Sequence, residues 1–290
     1  MSVEAKAGWN LDRLDHWSEP VEFEVTQERI MQYAAATNDE HPAHRSGELA
    51  PPVFAIVPAF QALAQTAVGI VPPELFMRVV HGEQDFRYHR PILPEQVLTT
   101  TAAPVGVHGA STGVVVISKG RTTSSDGELV VEQYMTSFFR GAQLDVHEGE
   151  PVTEHKFDEP LRGHEPLASI EHRYDSDQTR RYSEAAGDPM PIHLDDELAK
   201  SMGLPGIIVH GLCTMAFCSR AVIQTACPDD PTRLKRLAAR FSKIVQPHET
   251  VTHALYEARH SGEARRIAFE TTTDTGKVAI KDGLAEIANA

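Results

Sequence analysis

The stretch Tyr182-Ser-Glu-Ala-Ala-Gly-Asp-Pro-Met-Pro-Ile-His-Leu-Asp195 places a carboxylate, Asp188, five residues before an imidazole, His193, in a turn rich in glycine and proline. The stretch Pro205-Gly-Ile-Ile-Val-His-Gly211 follows, and the sixteen residues that begin at Gly211 are apolar on most sides, which predicts a buried helix over 211–226. An acid and a histidine facing the first N–H groups of a helix are the groups needed to move protons beside a polarised carbonyl.

The chain repeats this pattern. Tyr33-Ala-Ala-Ala-Thr-Asn-Asp-Glu-His-Pro-Ala-His44 aligns without a gap on the stretch that begins at Tyr182, at an offset of 149 positions. A second pair, Arg87-Tyr-His-Arg-Pro-Ile-Leu-Pro94 and Arg240-Phe-Ser-Lys-Ile-Val-Gln-Pro247, aligns at an offset of 153. The shared order indicates two copies of one domain of about 140 residues, which is an ordinary domain size.

Hydrophobic periodicity gives both copies the same order of elements. The first copy is predicted to have helices over 26–36 and 54–67 and strands near 78–88, 96–105, 113–121 and 129–139. The second is predicted to have helices over 177–185, 194–202 and 211–226 and strands over 236–245, 250–258, 264–273 and 277–287. Helices followed by consecutive strands predict an α+β domain in which an antiparallel sheet wraps around a helix.

We therefore divide the chain into a first domain over 1–140 and a second over 166–290. The segment between them, 141–165, is rich in Asp, Glu, His, Pro and Gly and is expected to be a solvated linker.

Composition narrows the class of protein. The 290 residues carry a net charge of −14, which makes nucleic acid an unfavourable partner. No apolar run of about 18 residues occurs, so we expect no membrane span. The three cysteines and the absence of a signal-peptide pattern at the N-terminus favour reduced thiols and a cytoplasmic location.

The motif Gly187-Asp-Pro-Met-Pro-Ile-His-Leu-Asp195 resembles the signature of the MaoC-like, (R)-specific enoyl-CoA hydratases, also called hydratase 2, which is Gly-Asp-x-Asn-Pro-aliphatic-His-x-Asp/Asn. The chain departs from it at Met190, where Asn is usual. The block ending at Gly211 and the strand beginning at Arg240 also match, although His248 stands where Gly is common. The resemblance implies two tandem hotdog folds, in which one chain mimics a dimer of single hotdogs.

The resemblance also implies a reaction, the reversible hydration of a trans-2-enoyl thioester to the (R)-3-hydroxyacyl thioester. Asp188 and His193 would hold the reacting water, while the residues leave open which of them is formally the base. The amide of Gly211 would donate to the thioester oxygen, and His210 beside it is favoured as a structural neighbour of that site. The substrate would be a thioester of CoA or acyl carrier protein, and no metal or other cofactor is expected.

The phosphates of CoA would need a local basic contact on this acidic chain. Arg240 and Lys243 are the candidates in the second copy, and Arg87 and Arg90 occupy the equivalent positions in the first. A homodimer is a further expectation.

Other interpretations remain open at this point. Asp188 alone is also typical of an Asx turn, and His193 alone of a hydrogen-bonded structural histidine. The function could instead be thioester hydrolysis on a hotdog scaffold, or acyl-thioester binding without catalysis.

The first copy keeps the acid and histidine, as Asp39 and His44, but has Pro52-Val-Phe-Ala-Ile-Val-Pro58 where the second copy has Gly206-Ile-Ile-Val-His-Gly-Leu212, so the His-Gly pair is missing and Pro58 is present. Because proline has no N–H to donate, we expect one active site, with the first copy holding the acyl chain. The pair His41 and His44 is weak as a metal site, since no third ligand is evident. Cys213 is expected to be a packed core residue.

Overall fold

A single antiparallel sheet runs through both copies of the repeat. The structure is a computed structural model that describes residues 8–258 and 264–289. The strands within that part of the chain are β1 (Val21–Val25), β2 (Val79–Tyr88), β3 (Gln96–Ala110), β4 (Gly113–Ser124), β5 (Leu129–Arg140), β6 (His147–Gly149), β7 (Ala168–Arg173), β8 (Leu234–Phe241), β9 (Thr250–Ala258), β10 (Arg265–Thr273) and β11 (Val278–Ile287). The α-helices are α1 (Gln27–Ala36), α2 (Pro42–Arg45), α3 (Phe60–Gln65), α4 (Gln178–Ala186), α5 (Asp196–Ser201) and α6 (Gly211–Ala226).

The strand order reveals the duplication. The sheet runs β1-β3-β4-β5-β2-β8-β11-β10-β9-β7, with β6 added beside β3. From either edge inward the order is therefore the same, β1-β3-β4-β5-β2 in the first copy and β7-β9-β10-β11-β8 in the second. Each half-sheet packs against helical segments of its own copy, and the predicted class of two tandem hotdog folds is confirmed.

The copies join where β2 pairs with β8. Residues 83–87 of β2 lie antiparallel to 236–240 of β8. Across this junction the guanidinium of Arg236 donates to both carboxylate oxygens of Asp85, at 3.0 and 2.9 Å, and the Asp85 side chain is 2% exposed. A charge buried to this degree is tolerated when it is paired in this two-point geometry, which also disfavours any other strand register.

Side chains of the second copy also cap α1. Carbonyl groups at its C-terminal end accept hydrogen bonds from Gln178, Arg181 and Arg220. The aromatic rings of Tyr33 and Tyr182, equivalent residues of the repeat, meet edge to face at 5.8 Å. Because helix carbonyls at this end have no intrahelical donor, these contacts tie the two copies into one core.

Most helices and strands lie where the sequence predicts them, and α6 matches its predicted range. The predicted helix over 54–67 is wrong. A 3-10 helix over Pro52–Ile56 is followed by the separate helix α3, because Pro58 has no N–H to continue the hydrogen-bond ladder. The short strands β1, β6 and β7 and the short helix α2 were not predicted.

The expectation of a solvated linker over 141–165 is also wrong in part. Leu144, Val146 and Phe157 are buried. The ring of His155 lies between the two copies, with Nδ1 at 2.6 Å from the carbonyl of Asp282 and Nε2 at 3.1 Å from the carboxylate of Glu83. Apolar side chains interspersed among the acidic ones explain why the segment packs along the sheet. No helix in the described part of the chain is long and apolar enough to cross a membrane.

Candidate active site

The loop after α4 is shaped by its glycine and prolines. Gly187 ends α4 in the left-handed region, with φ of 72°, where a side chain would be strained. A 3-10 helix over Pro191–His193 then returns the chain towards the core, and His193 is 8% exposed. The sequence thereby places an acid and a histidine on either side of one tight turn.

Asp188 is held at both its backbone and its side chain. Its carbonyl accepts a hydrogen bond from the Ser183 hydroxyl at 2.7 Å, and its Oδ1 accepts from the amide of Met190 at 3.2 Å. The second contact forms an Asx turn, so the Asx-turn interpretation of Asp188 is also confirmed. The other carboxylate oxygen, Oδ2, lies 4.0 Å from Nε2 of His210.

His193 has one ring nitrogen committed to structure. Its Nδ1 lies 2.8 Å from the carbonyl oxygen of Ile208. A carbonyl only accepts, so Nδ1 carries the proton of the neutral ring and Nε2 keeps a lone pair. The stretch before α6 therefore sets the tautomer that leaves Nε2 able to bind or accept a proton.

His210 contacts both Asp188 and His193, whereas the sequence suggested only that it would be a structural neighbour of the site. Its ring stacks on that of His193, with centroids 3.7 Å apart, and its Nε2 lies 3.3 Å from the carbonyl of Asp188. The residue is 1% exposed, and burial lowers its pKa to about 3. A neutral His210 can therefore support the ring of His193 without adding a second positive charge.

The pKa values of the acid and the histidine move towards each other. Burial raises the pKa of Asp188, against a lowering by His193. Burial lowers the pKa of His193, against a raising by the Ile208 carbonyl and by Asp188. Groups whose charged forms are both disfavoured by burial, and which attract each other when charged, are typical of proton-handling sites.

Gly211 begins α6, and its amide has no acceptor within the helix. A Cβ at this position would lie 3.0 Å from a ring carbon of Phe241, so the ring packs directly against the glycine backbone. The site thus has an acid, a histidine with a free ring nitrogen and a backbone donor at a helix start.

A metal ion would not suit the same side chains. Asp188, His193 and His210 do offer ligand atoms within 4.8 Å of one another. However, the two imidazole planes are tilted by only 24° at a separation of 3.7 Å. A metal ion binds a ring nitrogen at roughly 2 Å and in the plane of the ring. Two nearly parallel rings cannot both meet that requirement at one ion, because their planes intersect much farther away.

The first copy arranges the same residue types differently. His44 Nδ1 lies 2.8 Å from Oδ2 of Asp39, and both residues are buried. Burial alone would raise the pKa of Asp39, but the hydrogen bond and charge of His44 hold it below its usual value. The acid and histidine are therefore bonded to each other. The residue that begins the helical segment where α6 begins at Gly211 is Pro52 rather than Pro58, and it too has no N–H to donate.

Of the candidate basic residues, Lys243 is exposed, and Arg240 is half-exposed with Nε 3.4 Å from Glu83. In the sequence Arg240 directly precedes Phe241, and Lys243 follows it by two residues. Lys281, opposite Arg240 on β11, was not singled out from the sequence, since only strand register brings it there.

Further residues that the sequence did not point to are Ser183, Ile208 and Phe241. The contribution of Ile208 comes from its backbone carbonyl, which no side-chain pattern marks. The contacts of Ser183 and Phe241 arise from tertiary packing.

Removing the charge of Asp188 should change the titration of His193. In an Asp188→Asn variant the pKa of His193 is expected to fall further, because the carboxylate that raises it is gone. Nitrogen-15 NMR of labelled histidine measures this directly. Asp177→Asn, at the exposed start of α4, is the control and should leave the His193 titration unchanged. An unchanged or higher pKa of His193 in Asp188→Asn would contradict the proximity of the pair.

The chain is similar to known proteins in sequence and in fold. A family model described as a MaoC like domain matches residues 157–279, and one described as a FAS1-like dehydratase domain region matches residues 14–133. The chain is 26% identical to a probable enoyl-CoA hydratase 2 of Dictyostelium discoideum, over 94% of this chain and 95% of that protein. It is 29% identical to 3-hydroxyacyl-thioester dehydratase Y of Mycobacterium tuberculosis, over 93% and 95% of the two chains.

The fold also matches a solved structure, that of a MaoC-like dehydratase from Phytophthora capsici. The TM-score is 0.84 at 23% identity, covering 97% of this chain and all of that one, a likeness that speaks for the fold alone. The matched domains and the relatives show a hydro-lyase that carries a MaoC like domain in its second copy and a FAS1-like dehydratase domain region in its first, and the solved structure shows the double-hotdog fold.

Proposed function

We propose that the protein catalyses the reversible hydration of trans-2-enoyl-CoA, or of another 2-enoyl thioester, to the (R)-3-hydroxyacyl thioester. One observation carries the proposal. Asp188 and the stacked pair His193 and His210 lie beside the start of α6, with a carboxylate oxygen and two ring nitrogens within 4.8 Å of one another. The names of the relatives above support the thioester, and the family resemblance supports the (R) configuration.

The acid and the histidine would act on one water molecule. In hydration the water oxygen bonds to C3, one of its protons passes to the pair, and a proton is delivered to C2. Nε2 of His193 can accept or return a proton, since Nδ1 is held by the Ile208 carbonyl. Oδ2 of Asp188 can orient the water, since Oδ1 is occupied by the Met190 amide.

The amide of Gly211 would stabilise the negative charge that develops on the thioester oxygen. It is the first amide of a 16-residue helix, where the helix dipole favours negative charge. In other enzymes, loss of such a donor raises the barrier by about 3 kcal/mol. The contact between Gly211 and Phe241 leaves no space for a side chain on that side, and an added methyl group would displace the ring.

We place the acyl chain in the first copy and the CoA phosphates near Arg240 and Lys243. The helical segment of the first copy is interrupted at Pro58, whereas α6 is continuous, so the two copies are not equivalent binding surfaces. Arg240 and Lys243 support the phosphate contact because they are basic and lie within two residues of Phe241, which contacts Gly211.

The reaction requires no metal or other cofactor, and the ring geometry of His193 and His210 supports that proposal. We also propose a cytoplasmic location and a homodimer. The three cysteines, which are buried and unpaired, favour a reducing compartment.

Incubation with crotonyl-CoA tests the function. Loss of the conjugated enoyl absorbance without release of free thiol is the expected result. Thiol release would identify a thioesterase. Neither signal across a range of acyl lengths would favour a protein that binds thioesters without catalysis, and either of these outcomes would overturn the proposal.

The two copies of the motif should respond differently to the same substitutions. Asp188→Asn and His193→Gln are each expected to abolish turnover while the thermal midpoint stays near that of the parent, since these side chains handle the protons. Asp39→Asn is the matched change in the first copy. It should lower the thermal midpoint, because it breaks a buried pair, while the folded protein keeps its kcat. Full activity in Asp188→Asn or His193→Gln would contradict the mechanism.

Charge reversal at Lys243 tests the phosphate contact. Lys243→Glu is expected to raise KM for crotonyl-CoA, with a smaller effect at high salt, because an exposed charge pair is screened. The matched control is Lys235→Glu, since Lys235 is exposed and lies at the opposite end of β8 from Phe241. Equal KM values for the Lys243→Glu variant and the parent would remove Lys243 from the proposal.

A further inference from the structure

A β-bulge in the first copy directs one histidine towards the second. The register between β2 and β5 shifts between His81 and Glu83, so that His81 lies opposite Ser137 and Glu83 opposite Thr136. Gly82 occupies the bulge, where an added Cβ would lie 3.2 Å from the Thr136 carbonyl. Bulges bend a strand and redirect side chains, often beside active sites.

The redirected side chain contacts the residue that packs on Gly211. The ring of His81 meets that of Phe241 nearly edge to face, with centroids 4.8 Å apart. Phe241 is the last residue of β8, and its ring limits the position of the Gly211 backbone. The ring of Phe241 therefore links Gly211 to His81, a side chain of the other copy.

Hydrogen bonds fix the position of His81. A buried chain of amides begins at the Ala55 carbonyl, which accepts from Gln133 Nε2 at 3.1 Å. Gln133 Oε1 then accepts from Gln84 Nε2 at 3.0 Å, and Gln84 Oε1 faces His81 Nε2 at 3.1 Å. Because a backbone carbonyl only accepts, the direction of every bond in this chain is determined, and Nε2 of His81 is a donor.

The chain of amide hydrogen bonds links two features that differ between the copies. Ala55 lies in the 3-10 helix that ends just before Pro58, where the broken helix leaves carbonyl groups without helical partners. Gln84 and Gln133 are fully buried, which is unusual for glutamine unless it is hydrogen-bonded. The interrupted helix of the first copy is thus connected to the helix start of the second.

We infer that His81 is a positioning residue for the reaction, which acts through Phe241 to hold the Gly211 amide where it meets the thioester oxygen. This inference rests on the proposed hydration. It assigns the first copy a part in polarising the carbonyl, besides any part in binding the acyl chain. Misplacement of a donor by about 1 Å is enough to lower a rate about 100-fold, so packing around the donor bears directly on kcat.

His81→Leu removes both the ring and the hydrogen bond. We expect kcat for crotonyl-CoA to fall about 10- to 100-fold while KM changes by less than about threefold, because the donor acts mainly in the transition state. His89→Leu is the matched control, since His89 is exposed and lies just beyond β2. It should keep the kcat of the parent.

A spectroscopic readout separates positioning from loss of structure. Crotonyl-CoA labelled with carbon-13 at the thioester carbonyl is bound to the Asp188→Asn protein, in which turnover is blocked, and its carbonyl band is recorded by infrared difference. Polarisation by Gly211 should shift the band to lower frequency than in solution. Adding His81→Leu should return it at least halfway, and adding His89→Leu should not move it.

A second variant distinguishes loss of positioning from a folding defect. His81→Phe keeps a ring against Phe241, and we expect its kcat and carbonyl band to lie closer to the parent than those of His81→Leu. A fall in kcat with an unmoved band, or equal kcat in His81→Leu and His89→Leu, overturns the inference. Failure of the parent to hydrate crotonyl-CoA overturns the proposed function and this inference with it, whereas an active parent with an unaffected His81→Leu variant overturns this inference alone.

Discussion

The ladder between β2 and β8 is the interaction on which the site depends. It places residues 83–87 against 236–240, and the two-point bond between Arg236 and Asp85 holds that register. A slip of one residue would reverse the face of every side chain on the strand. The bulge at Gly82 would then no longer deliver His81 to Phe241. The second copy therefore obtains the support of its helix start from a strand of the first.

The two copies diverge in the partner of the histidine. In the second copy Nδ1 of His193 donates to the Ile208 carbonyl, whereas in the first copy Nδ1 of His44 lies 2.8 Å from the carboxylate of Asp39. The same acid and histidine thus form an open pair in one copy and a closed pair in the other.

The sequence was sufficient where short-range patterns decide the structure. The duplication, α6 and the position of Asp188 and His193 around a turn all follow from spacing and from glycine and proline chemistry. It was insufficient where the partner is distant or belongs to the backbone. The contact of His81 with Phe241 joins residues of different copies, and the acceptor of His193 is a carbonyl. The apolar periodicity of 54–67 predicted one continuous helix. Pro58 breaks it, because proline imposes a stronger local constraint on the backbone than the apolar pattern does.

The open pair suits the proposed reaction, which must run in both directions. Burial disfavours the charge on Asp188 and on His193, while each charge favours the other. Their two proton arrangements, an ion pair or two neutral groups, are thereby brought closer in free energy, so that neither direction of proton transfer is strongly opposed. In the first copy the direct bond to His44 lowers the pKa of Asp39 and stabilises its charge. A fixed charge of that kind is poorly suited to exchanging protons with a water molecule.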